Sequence, residues 1–85
     1  MATKVFFFYL DTKIDVDEES LTGARIKQEI ENKIAEFDPA YELVLEGRGA
    51  EADKPIANDE LIDLSHGHGD GPRRFFSRPP TSFGV

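Results

Sequence analysis

The chain has no cysteine, no long apolar run and a shortage of cations. The first absence excludes disulfide staples, cysteine-ligated metal sites and any thiol chemistry carried by the protein itself. The longest apolar-aromatic run is Val5 to Leu10, far short of the roughly 20 residues of a transmembrane helix. The opening MATKVFFFYLDTK lacks the longer apolar stretch and small-residue cleavage site of a secretory signal. A soluble cytoplasmic protein with no membrane partner is the expectation. The net charge of −7 argues against nucleic acid as a partner, because phosphate binding needs clustered Lys and Arg. The deficit is uneven. Residues 71–85 hold Arg73, Arg74 and Arg78 and no acid, a local +3, which leaves −10 on the first seventy residues. An acidic body with a basic end suggests two different contact surfaces, although Arg73 and Arg74 also fit a solvated strand start.

Catalytic signals are missing as well. At 85 residues the chain buries only about 60–65% of its unfolded surface, enough for one modest core and no deep cleft. No nucleophile–base–orienter set is visible, and no glycine pattern follows a strand to open a helix as a phosphate loop would. The two histidines sit in His66-Gly-His68-Gly-Asp70, with Asp63 nearby. These are metal-ligand residue types, but flanking glycines give neither pre-orientation nor a supporting shell, so a solvated loop is the better reading. The expectation is a non-enzyme with no cofactor and no metal of its own.

What is present is one helix and several strands. Over Thr22 to Phe37, Ile26, Ile30, Ile34 and Phe37 recur at spacings of four, four and three and share a face. Gly23 projects onto the same stripe, where a missing side chain lets a backbone come close. Thr22 is a cap, Leu21 can staple onto Ile26, and Asp38-Pro39 stops the helix. Val5 to Leu10 reads as a central strand buried on both faces. Ile14-Asp15-Val16-Asp17 alternates as a strand with one wet face, and Tyr41 to Leu45 is a third strand. Lys54-Pro55-Ile56 fits a short edge strand. Leu61, Ile62 and Leu64 form an apolar piece packed under the sheet edge, and Arg74 to Ser77 is the last strand. A hairpin, a crossover helix and a returning half make an α+β fold of the β-grasp kind: a mixed four- to five-stranded sheet on one helix. The expected organisation is one domain over residues 1–78 and an extended tail over 79–85.

The tail is stiffened by Pro79-Pro80 and carries Phe83 directly before Gly84. An extended peptide with an aromatic anchor can thread an enzyme's groove, and glycine lets a narrow active site close around the backbone. A frayed terminus is the competing reading. Alternation along the third strand points Val44 away from Leu43 and Leu45, so Val44 is expected in solvent, as is Phe76 on the last strand. A one-residue shift would exchange Phe76 with Phe75.

In order, these residues are the Phe-rich strand, the acidic second strand, Leu21-Thr22-Gly23, Asp38-Pro39-Ala40-Tyr41-Glu42-Leu43, Ile56, Asp59-Glu60, Ile62-Asp63-Leu64, Arg74-Phe75, Pro79-Pro80 and Phe83-Gly84. That set resembles the bacterial multiubiquitin family of ubiquitin-like proteins over nearly the whole chain. The resemblance implies a β-grasp protein modifier with an activating enzyme, a conjugating enzyme, a deubiquitinase-like metalloprotease and target proteins as partners. It implies that the carboxylate of Gly84 is activated and conjugated, with Arg78, Pro79, Pro80 and Phe83 recognised in the tail, and that the exposed sheet face docks partners, with Val44 and Phe76 as its candidate residues. Two features depart from the family: one copy rather than tandem domains, and Val85 after the glycine. Either a protease removes Val85, or Val85 itself is activated, or the chain does not conjugate. A sulfur carrier shares the fold and the acyl-adenylate step but lacks its Gly-Gly end here. A non-covalent interaction module would use the sheet face alone.

Overall fold

The computed structural model describes residues 5–47, 50–65 and 72–79. In chain order its elements are β1 (Val5–Tyr9), β2 (Thr12–Val16), β3 (Ser20–Thr22), α1 (Gly23–Lys33), β4 (Glu42–Leu45), β5 (Lys54–Ile56), β6 (Leu61–Asp63) and β7 (Arg74–Arg78). The main sheet has the order β2-β1-β7-β4-β5, and β3 pairs with β6 in a separate ribbon. Among the described residues only β1 and β7 run parallel; the other pairs are antiparallel. The protein is thus α+β, with a mixed five-stranded sheet and one helix.

Alternation along each strand sends one set of side chains to the helix side. Val5, Phe7 and Tyr9 of β1 join Ile14 and Val16 of β2, Phe75 of β7, Leu43 of β4 and Ile56 of β5 in one core. Ile26 and Ile30 of α1, Leu21 and Ile62 of the ribbon, and Phe37 and Leu64 complete it. Phe7 meets Phe75 edge-on at 5.3 Å, and Tyr9 meets Phe37 edge-on at 5.2 Å, the geometry that ring quadrupoles favour.

The helix begins as its residues dictate. Arg25 N–H donates to Thr22 Oγ1 at 3.3 Å. The Gly23 and Ala24 N–H groups donate to Glu60 O and Asn58 O, so the loop between β5 and β6 satisfies backbone donors that a helix start otherwise leaves open. This approach requires Gly23: a Cβ there would stand 2.2 Å from Ala57 O.

Four expectations need correction. The helix stops at Lys33 instead of reaching Phe37; Ile34 is its extended C-cap, and the chain turns early into an Asp38 side-chain turn, Ala40 N–H donating to Asp38 Oδ1. Phe37 stays in the core all the same. β1 is not buried on both faces, because Phe6 and Phe8 are only half-buried. Leu10 lies outside it, in a two-residue turn, 59% exposed and at φ 55°. Val44, expected in solvent, is 1% exposed. It does point away from the helix, but β7 and β5 flank it with Phe76 and Pro55 directly opposite. Finally, the Leu61–Leu64 piece is partly a strand, β6, whose partner β3 overlaps the helix cap.

Candidate functional site

The sheet face away from the helix carries the most unusual surface among the described residues. Period-two alternation places Phe6 and Phe8 of β1 there, with Lys13 and Asp15 of β2 opposite them. Arg74, Phe76 and Arg78 come from β7, and Glu42, Val44 and Pro55 from β4 and β5. Phe76 is on this outer face and Phe75 is in the core at 1% exposure, which settles the choice between the two. Val44 is the floor of the patch, not a contact point, and Phe76 beside it is half-buried.

Cations sit on the rings. Lys13 Nζ lies 4.5 Å from the centroid of Phe6, and the Arg74 guanidinium lies 4.7 Å from that of Phe8. Phe6 and Phe8 meet edge-on at 5.9 Å. Each exposed cation–ring contact contributes about 0.5–1 kcal/mol. Arg78 Nε donates to Glu42 Oε1 at 2.6 Å; both side chains are partly exposed, so the pair positions the strand end more than it stabilises the fold. On an acidic chain, this face is aromatic and flanked by cations.

β7 is anchored unevenly. It pairs with β1 only at Arg74 and Phe75, whereas β4 follows it to Arg78. The hydroxyls of Tyr9 and Ser77 hydrogen-bond across this end. Beside Phe76, a shallow groove runs between β7 and the loop after β4, lined by Leu10, Glu46, Asp53 and Ser77. Asp53 Oδ1 accepts from Gly47 N–H at 2.8 Å and so holds that loop.

Of the tail residues singled out by sequence, Arg78 and Pro79 are exposed at the end of β7. Pro80, Phe83, Gly84 and Val85 lie outside the described residues, as do His66, His68 and Asp70 of the glycine-rich loop. Sequence reasoning missed Phe6, Phe8, Lys13 and Arg74 as members of the face. Their signal was in VFFFY: once alternate residues go to the core, the remaining phenylalanines must face outward. No helix of the described residues is long and apolar enough to cross a membrane, and no group of three or more His, Asp or Glu among them is placed to hold a metal ion. Comparison with family models, with curated proteins and with solved structures gives no match.

Proposed function

We propose that this chain is a β-grasp, ubiquitin-like protein modifier that acts as a substrate of its partner enzymes and is not itself a catalyst. The observation that carries the reading is the sheet order β2-β1-β7-β4-β5 with β1 parallel to β7. In that order the last strand runs beside the first and hands the chain to Arg78 and Pro79 at the sheet's end. The sequence resemblance and the Pro79-Pro80…Phe83-Gly84 tail support the same reading. In this scheme a metalloprotease hydrolyses the Gly84–Val85 bond. The Gly84 carboxylate then attacks the α-phosphorus of ATP on the activating enzyme and releases pyrophosphate. A cysteine thiol of that enzyme displaces AMP to give a thioester, and an amine of the target displaces the thiol to leave an amide. The outer face, with the half-buried Phe76 as its aromatic contact, docks the enzymes.

The test is ATP–pyrophosphate exchange with the activating enzyme that this reading requires. A form ending at Gly84 should support exchange, and the Val85-ended form should do so only after protease treatment. Exchange by neither form removes the reading. The aromatic outer face also favours a second reading, a non-covalent interaction module, and deletion of residues 81–85 with no loss of partner binding would select it.

A further inference from the structure

The main sheet has two edges, and they differ. β5 is three residues long and contains Pro55, which has no backbone N–H to offer a further strand. β2 is five residues long and, among the described residues, pairs with β1 alone. Phe8 N–H donates to Arg73 O, on the β7 side of β1. By antiparallel alternation Phe8 and Lys13 are therefore a pair that exchanges no backbone bonds, so the N–H and C=O of Lys13 and Asp15 point away from β1. Among the described residues no other backbone group meets them. Their side chains are exposed on the outer face, one cationic and one anionic.

We infer that β2 is a two-fold interface between two copies of this chain, the strands antiparallel about Ile14. Within β2 itself, Thr12–Val16, only one antiparallel register satisfies both the backbone and the charges. With Ile14 opposite Ile14, Lys13 of each copy faces Asp15 of the other. The outward N–H and C=O groups then close four backbone bonds, and two opposite-charge pairs form on the outer face. A slide of two residues in either direction keeps the backbone parity but sets Lys13 against Lys13 or Asp15 against Asp15. A slide of one residue sends each side chain to the wrong face. An isologous contact of this kind closes on itself and does not propagate into a fibre. The strand is short and the interface is below the roughly 1,200 Å² of standard complexes, so the dimer is a weak one. The inference rests on the β2 edge and is independent of the modifier reading.

Sedimentation equilibrium of the full chain from about 10 μM to 2 mM covers the range expected for so small an interface. The apparent mass should climb from the monomer's 9.5 kDa toward twice that value. Lys13→Asp and Asp15→Lys should each remain monomeric, and the double variant carrying both should dimerise again, because only the facing pair is exchanged. A wild-type chain that stays monomeric throughout, or single variants that associate like wild type, overturns the inference, as does a folded double variant that fails to recover. Amide hydrogen exchange on the unmodified chain gives a check that needs no variant. The Lys13 and Asp15 amides should slow at least tenfold between the dilute and concentrated ends. Equal rates at both ends overturn the inference.

Discussion

Replacing Gly23 with alanine tests the contact on which the helix start depends. The added Cβ would lie 2.2 Å from Ala57 O and 3.0 Å from Ile56 Cγ2. The first of these is backbone and cannot rotate aside. Ala57 O accepts from Glu60 N–H, and the same loop accepts the Gly23 and Ala24 donors through Glu60 O and Asn58 O. To make room, the loop must move and stretch those bonds. Overpacking of this kind costs about 1–3 kcal/mol, and each lengthened backbone bond about 1 kcal/mol. Alanine's better helix propensity returns at most about 1 kcal/mol. With the three bonds weakened by part of that amount, a net loss of about 2–4 kcal/mol follows. Against the roughly 4–13 kcal/mol expected for a domain of 85 residues, that is a large share, and it lowers Tm by roughly 10–30 °C. Urea unfolding followed by circular dichroism reads the change. Ala24→Gly at the neighbouring exposed position is the control, with a cost of about 1 kcal/mol from propensity alone. If Gly23→Ala costs less than about 0.5 kcal/mol with an unchanged urea slope, the loop yields freely and the close-approach argument is wrong.

Leu10 occupies the left-handed region at φ 55° while 59% exposed. Leu10→Gly should therefore stabilise the chain by up to about 1 kcal/mol, since it relieves strain and gives up little burial; a loss of stability would contradict this. Tyr9→Phe removes the partner of the Ser77 hydroxyl and should cost about 1 kcal/mol, with the Tyr9→Phe/Ser77→Ala pair costing less than the sum of its parts in thermal melts. Val44→Ala should cost about 1.5–2.5 kcal/mol of stability because its methyls are buried. Phe76→Ala should instead weaken capture by the proposed activating enzyme by about tenfold or more, as the loss of an anchor of the docking face would. The Glu60 carboxyl is held below its ordinary value of 4.5 by its hydrogen bond from Lys54 and then by that from Ala57 N–H. A carboxylate with a depressed folded-state pKa contributes stability above its unfolded value and loses it as pH falls through the folded one. The Glu60 carbon signal should titrate below pH 4.5 in wild type, and Lys54→Ala should raise its midpoint.

The elements that could be read from sequence are those whose signal is local. Ile26 and Ile30 have a helical period, Thr22 has the chemistry of a cap, and Gly23 is a missing side chain at a crowded place. Each is decided within a few residues. The helix end was misplaced because Ile34 and Phe37 keep the apolar spacing after the backbone has left the helix, and burial through a turn looks the same as burial along a helix. β3 was hidden for a related reason. Ser20-Leu21-Thr22 has one apolar residue and reads as a cap, and only pairing with Leu61–Asp63, forty residues away, makes it a strand.

The Val44 error bears on the site, because alternation gives direction and not exposure. Residue 44 points away from the core as its position demands, yet it sits on a middle strand with Phe76 on one side and Pro55 on the other, so large neighbours cover it. The aromatic residues share that face with it: Phe76 on β7, and Phe6 and Phe8 on β1. A partner that docks there meets the rings, the Lys13 and Arg74 cations over them and the Arg78–Glu42 pair, while Val44 is buried. It follows that substitutions at the two residues first paired by sequence should separate, Val44 altering folding and Phe76 altering association. If both altered association equally at full folding, Val44 would have to be reached by the partner and the patch would have to open.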